Sequence, residues 1–307
     1  MPTRKESAVF LSLLAVYTLA QAVVIGLRPD HFMLIGLLVV LFFASRFTRR
    51  LMLALFPFVI FAVSYDWMRV YPNYMVNDID VRGIFETEKS LFGIAVADGE
   101  SVIPCQYFAE HHNALFDFLA GVSYLCWVPV PVLFGAWLFF MREYRWCLHF
   151  TVCFLLCNLI GFAGYYVHPA APPWYALQYG FDPILNTPGN VGGLIRFDEM
   201  VGIPVFQSIY VNNSNVFAAV PSLHAAYMLI ATIYAVLSRR HPAMIAVFAL
   251  ITLGIWCTAV YSGHHYIIDV LLGILCACLT VALFEKVLMR WPLFARWMDS
   301  YTHYVSK

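Results

Sequence analysis

The sequence predicts an all-α, polytopic membrane protein of about eight transmembrane helices with both termini cytoplasmic. Three observations carry that reading. Only 12% of the 307 residues are charged and 62% are hydrophobic, with a mean hydropathy of +0.75, whereas a soluble domain carries about 25% charged residues. Apolar stretches long enough to cross a bilayer, at about 1.5 Å per residue, recur along the chain. Lysine and arginine alternate between the intervening segments as the positive-inside rule demands. Net charge is zero, so no global field points to nucleic acid or an acidic partner. Neither a nucleic-acid nor a protein partner is expected.

The spans fall near residues 8–27, 31–47, 50–67, 114–140, 147–167, 218–238, 243–263 and 265–285. The first follows a short basic segment with Arg4 and Lys5. It is longer than a signal-peptide core of roughly 7–15 residues and lacks a small-residue cleavage site, so it reads as a retained helix. With the N-terminus inside, thirteen of the 18 lysines and arginines lie on the inner side. Only Arg28, Arg69, Arg82, Lys89 and Arg196 lie outside, and every inner segment holds at least two cations. One miscounted span would scramble that alternation. The chain therefore divides into N-terminal transmembrane helices (1–67), an outer-face segment (68–113), a transmembrane core (114–285) containing a second outer loop (168–217), and a cytoplasmic tail (286–307). A multi-pass protein of a bacterial inner membrane is expected, its outer face toward the periplasm, or toward the Golgi lumen if the source is eukaryotic.

The eight cysteines lie mostly inside apolar runs and read as small packing residues. No Cys/His grouping has zinc-like spacing, so no metal or other cofactor is expected.

Two strings carry the chemistry: Val220-Pro221-Ser222-Leu223-His224 and His264-His265-Tyr266-Ile267-Ile268-Asp269. The topology brings His224, His265 and His168 to the same outer boundary, although the strings lie some forty residues apart. Residues i and i+4 share a helix face, so Asp269 can hold the His265 ring in one tautomer and leave its other nitrogen free to attack. His224 can supply the proton a leaving group needs. Pro221 suits a first helical turn, leaving the amides of Ser222, Leu223 and His224 as a place for a phosphate oxygen. An aspartate just inside a span with no task would cost about 2.5–3.5 kcal/mol, and pairing with histidine accounts for it. The remaining histidines, His31, His111, His112, His149, His241 and His303, read as interfacial side chains.

These strings resemble those of the type-2 phosphatidic acid phosphatase superfamily, whose members carry Pro-Ser-x-His and His-x-x-x-Asp on successive membrane helices. The resemblance covers roughly residues 66–285 and implies a six-helix catalytic bundle. In it His265 is the nucleophile that forms a phosphohistidine, Asp269 orients it, and His224 is the acid/base. The doubled His264-His265, the segment His168-Pro169-Ala170-Ala171-Pro172-Pro173-Trp174-Tyr175 and Glu88-Lys89-Ser90-Leu91-Phe92-Gly93 look like the branch of inositol phosphorylceramide synthases, the fungal target of aureobasidin, and its bacterial relatives. That branch implies a phosphatidylinositol-like donor and a ceramide-type acceptor.

The departures are informative. Phosphatases of the superfamily carry Lys-x6-Arg-Pro before the first string and Ser-Arg at the start of the last. Here Gly161, His168-Pro169 and Thr258-Ala259 stand in those places, so three fixed cations are missing. A phosphomonoester carries about −1.5 to −2 charges at neutral pH and a diester one, and bidentate arginine is the strong way to hold the dianion. The loss favours a phosphodiester donor, with His168, His264 or Arg196 restoring part of the missing charge. Trp174 and Tyr175 either belong to the interfacial aromatic belt or shape the lipid entrance. Asn212, Asn213 and Asn215 are either simple loop residues or hydrogen-bond a polyol headgroup; Asn212-Asn213-Ser214 is also formally a glycosylation acceptor. Two rival readings follow: a lipid phosphatase or pyrophosphatase in which water is the acceptor, and a channel or transporter. No chain of ionisable residues crosses the bilayer to support the latter.

Overall fold

Every apolar stretch is helical in the computed structural model, which describes residues 2–97, 99–211 and 213–307. In chain order, α1 (Arg4–Val24), α2 (Pro29–Ala44) and α3 (Arg46–Trp67) come first. The outer segment holds α4 (Arg82–Phe92), the hairpin β1 (Ile94–Ala95) and β2 (Ser101–Val102), and α5 (Pro104–Glu110). Then follow α6 (Ala114–Leu125), α7 (Pro129–Phe140) and α8 (Tyr144–Val167). The second outer loop carries α9 (Pro173–Tyr179), α10 (Ile195–Val201) and α11 (Val205–Tyr210). The last membrane helices are α12 (Leu223–Leu237), α13 (Pro242–Tyr261) and α14 (Ile267–Lys286), followed by α15 (Pro292–Ser306).

Helices α1, α3, α8, α13 and α14 are each long and apolar enough to cross a membrane, and α6 with α7 passes the same test as a pair bent by 43°. Helices α2 and α12 are shorter apolar helices of 16 and 15 residues. The 114–140 stretch, expected as one span, breaks where Pro129 opens α7 at its first turn; proline supplies no N–H to continue the hydrogen-bond ladder of α6. Helix α12 begins five residues later than the apolar stretch, since Ala218 bridges to Ala170 and the chain bends at residues 220 and 221 before the helix starts. Residues 286–307, expected as a tail, instead form a 3-10 turn and α15. Met298 and Val305 of α15 are buried, and the Tyr301 hydroxyl donates to the Leu53 carbonyl at 2.6 Å.

Helix α8 is the centre of the bundle. Its Phe150, Cys153, Phe154 and Cys157 are fully buried, and Phe154 packs 4.6 Å from Tyr227 and 4.8 Å from Phe58 between ring centroids, within the range of favourable aromatic pairs. Helix α1 lies at the rim, with Gln21 its one buried residue among those described.

A short backbone seam organises the outer face. Asp80 and Ala218 each form a parallel bridge to Ala170. Asp80 N donates to the Pro169 carbonyl (2.8 Å), Ala171 N to that of Asp80 (3.0 Å), Ala170 N to that of Phe217 (3.1 Å) and Ala219 N to that of Ala170 (3.2 Å). Buried Asn73 adds bonds from its Nδ2 to the carbonyls of Tyr165 and Phe217. Both outer segments are thus sewn together immediately before Pro221, and α12 enters the membrane from a fixed point.

Candidate active site

The two strings meet. After α13 the chain turns through Gly263, at φ +75°, a left-handed conformation suited to glycine. The amides of His264 and His265 both donate to the Ala259 carbonyl (3.0 and 2.9 Å). Tyr266 N then donates to Asp269 Oδ2 at 3.0 Å, and the same oxygen lies 3.3 Å from His265 Nδ1. One carboxylate oxygen therefore starts α14 and orients the imidazole. From α12, His224 Nδ1 approaches His265 Nε2 to 3.1 Å. Trp127 and Tyr124 from the α6–α7 region pack on His224, with centroids at 4.4 and 5.2 Å.

The helices that carry the strings touch at backbone level. Ser222 N donates to the Asp269 carbonyl at 3.0 Å. Opposite it is Gly273, where an added Cβ would stand 2.1 Å from the Ser222 carbonyl oxygen, so the approach requires glycine. Gly161 on α8 is similarly tight: an added Cβ would lie 2.5 Å from Leu223 Cδ2. The position where phosphatases carry lysine is filled here by a neighbouring leucine.

Glu88 is the functional residue that sequence reasoning did not single out beyond its place in a family-like string. It is fully buried, and its two oxygens accept from Ile267 N at 2.8 Å and Ile268 N at 3.2 Å. It thus caps the helix that carries Asp269, using a side chain 179 residues away in sequence. Burial raises its pKa, with repulsion from Asp269 adding to the shift and the two amides opposing it. The Cys105 thiol pins the same turn from another side, donating to the His265 carbonyl at 3.3 Å.

A cavity of about 150 Å³ opens in front of the rings, lined by His224, His264, His265, Trp174, Trp127 and Tyr227 among others. The lining includes no Lys, Arg, Asp or Glu among the described residues. Of the residues expected to bind substrate, His264 and Trp174 line it, and so do Asn213 and Asn215; Asn212 lies outside the described residues. Ser222, His168, Tyr175 and Arg196 do not line it. Ser222 Oγ instead accepts from Ala225 N as the cap of α12. Pro221 therefore lies before the helix, not in its first turn, and the Ser222 amide is already committed to Asp269, so the expected row of three free amides is not formed. His168 is half exposed and sits 3.4 Å from Asp80. The Tyr175 hydroxyl organises the outer loop, accepting from Ile184 N (2.6 Å) and donating to the Asp182 carbonyl (3.2 Å). Arg196 Nε is paired with Asp117 at 2.6 Å, and its guanidinium lies over the Tyr261 ring.

An imidazole beside a carboxylate, with a second imidazole in reach and a cavity between apolar helices, is an arrangement suited to group transfer. The chain belongs to the PAP2 superfamily, whose family model matches residues 99–283. It is 56% identical, over the full length of both chains, to phosphoinositol dihydroceramide synthase of Bacteroides thetaiotaomicron. It is 26% identical to the inositol phosphorylceramide synthase catalytic subunit of Saccharomyces cerevisiae, covering 80% of this chain and 60% of the yeast protein. With the inositol phosphorylceramide synthase of Candida albicans it shares 29% identity over 62% of this chain and 42% of that protein. No solved structure matches. The family and branch expected from the two strings are those found.

Proposed function

We propose that this enzyme transfers a phosphoinositol headgroup from a phosphatidylinositol-type donor to the hydroxyl of a ceramide-type lipid, at the outer face of the membrane. The observation that carries the reading is the His265–Asp269 couple with His224 at 3.1 Å, facing a cavity without fixed cations. The similarity to the bacterial phosphoinositol dihydroceramide synthase and the fungal inositol phosphorylceramide synthases supports the same reaction. At about 150 Å³ the cavity is smaller than the roughly 300–1,000 Å³ of a site that swallows a whole drug-sized ligand. It suits a headgroup whose acyl chains stay in the bilayer.

In the first half-reaction His265 Nε2 attacks the phosphorus and the bond to the diacylglycerol oxygen breaks. His224 gives that oxygen a proton, releasing diacylglycerol and leaving the phosphoinositol group on His265. In the second, the acceptor hydroxyl attacks the phosphorus, passes its proton to His224, and the P–N bond breaks. Atoms and protons return to their starting places, and ping-pong kinetics follow. The basic inner segments put the site on the periplasmic side of a bacterial inner membrane in this reading.

Water as acceptor is the second reading. A phosphatase for phosphatidic acid must hold a dianion, and the cation-free lining weighs against it. Incubating purified enzyme in mixed micelles with phosphatidylinositol and labelled ceramide decides between them. A labelled, more polar sphingolipid formed together with diacylglycerol is expected. Inorganic phosphate released from phosphatidic acid, with no such sphingolipid, would overturn the proposal.

A further inference from the structure

Three polar atoms of the cavity lack a well-formed hydrogen bond among the described residues, although the Tyr210 hydroxyl interacts with that of Tyr124 and the His264 ring with the Asn190 backbone. Asn215 Nδ2, His264 Nε2 and the Tyr210 hydroxyl are these buried atoms, and all three side chains line the cavity with His265. Asn215 and His264 are more than nine-tenths buried. Leaving buried polar atoms unmatched is costly and rare, so three in one small cavity point to a ligand.

The neighbouring bonds give each atom a direction. Asn215 Oδ1 accepts from Phe217 N at 3.0 Å, which orients the amide and leaves Nδ2 as a pure donor. The Ser262 hydroxyl donates to the Thr258 carbonyl at 2.7 Å. Its oxygen is therefore free to accept the proton on His264 Nδ1, 2.8 Å away, and His264 Nε2 is left as a lone-pair acceptor. Burial, with His265 and His224 adding to it and the Asn190 backbone opposing, holds the His264 pKa well below its ordinary value, so the ring stays neutral. Tyr210, whose ring lies 4.6 Å from that of His264, both gives and takes.

A donor, an acceptor and an ambivalent hydroxyl complement a group bearing several hydroxyls. They do not complement an ammonium, which only donates and would leave Asn215 unmatched, and the lining offers no carboxylate to it. We infer that Tyr210, Asn215 and His264 form a polyol subsite that selects an uncharged, hydroxyl-bearing headgroup, separate from the His224–His265–Asp269 machinery. This rests on the headgroup-transfer reading above and assigns His264 to the headgroup hydroxyls, not to the phosphate.

The test compares phosphatidylinositol with phosphatidylethanolamine as donors to labelled ceramide, using wild type, Tyr210→Phe and Asn215→Leu. Each variant is expected to lower kcat/KM for phosphatidylinositol by about tenfold or more while the slow rate with phosphatidylethanolamine holds or rises, so the donor preference collapses. Variants that keep the wild-type preference overturn the subsite, even if overall activity falls. Wild-type enzyme that uses phosphatidylinositol while the variants keep its preference refutes the subsite alone. Wild-type enzyme that makes no product from phosphatidylinositol refutes the transfer reading with it. Tyr210→Phe removes one oxygen and no packing volume, so the question stands even if Asn215→Leu does not fold.

Discussion

Replacing Glu88 isolates the contribution of the outer segment to catalysis. Glu88→Ala leaves the amides of Ile267 and Ile268, now bonded at 2.8 and 3.2 Å, without acceptors in a buried setting. Each orphaned amide costs about 1–3 kcal/mol. Relief of the buried carboxylate's own desolvation offsets part of this, so a net loss of about 2–4 kcal/mol is expected. The first turn of α14 then has no fixed start, and Asp269 and His265 drift with it. A misplacement of about 1 Å at reacting atoms costs on the order of 10²-fold in rate. Glu88→Ala should lower kcat about a hundredfold with KM within about threefold, and Glu88→Gln, which keeps one acceptor oxygen, should recover much of it. The assay is initial-rate formation of labelled product in mixed micelles, with thermal unfolding in detergent measured alongside. An Ala variant with wild-type kcat and wild-type unfolding would refute the positioning role. Because burial raises the Glu88 pKa above its ordinary 4.5, the folded state binds that proton more tightly than the unfolded chain. The stability this group contributes is full below pH 4.5 and declines as pH rises through the folded-state value; Glu88→Gln should flatten that component of the unfolding profile.

Two further outcomes are expected. His265→Ala should abolish turnover and any phosphoenzyme trapped from labelled donor, and His224→Ala should block product formation while donor binding persists; near-normal turnover in His265→Ala would sink the nucleophile assignment. Gly161→Lys, which restores the side chain of the phosphatases, should drive into Leu223 and destabilise by about 1–3 kcal/mol without conferring hydrolysis of phosphatidic acid, and a stable variant that releases phosphate would overturn that steric account.

What the sequence made legible was whatever is periodic or local. Apolar length located the apolar helices, five of which are long enough to cross a membrane, or six with the bent α6–α7 pair, and the i, i+4 spacing of His265 and Asp269 anticipated their contact. Its errors arose where local rules compete. Pro221 reads as a helix-starting residue by position, but the seam through Ala170 holds Ala218, the chain bends at residues 220 and 221, and Ser222 takes the cap. Arg196 and His168 had the right charge at the right boundary, yet Asp117 and Asp80 face them from segments far off in sequence. Glu88 carries no local signal of its contacts, since the amides of Ile267 and Ile268 are brought close to it only by the bundle.

In the mechanism proposed above, the contact between His224 and His265 would govern the timing of the reaction. With the His265 proton on Nδ1, the nitrogen 3.3 Å from Asp269 Oδ2, the lone pair at Nε2 points to His224 Nδ1, 3.1 Å away. That is where a phosphorus must stand, about 3–3.5 Å from the attacking nitrogen. On that reading the idle enzyme is latched by its own acid, and its nucleophile is sheathed against stray electrophiles. A donor lipid has to displace the His224 ring to reach His265, and the ring that swings aside carries the proton the departing oxygen requires. Uncovering the nucleophile and arming the acid are one movement. Once the phosphoryl group sits on Nε2 the latch cannot reclose, and the site stays open until the second lipid clears it.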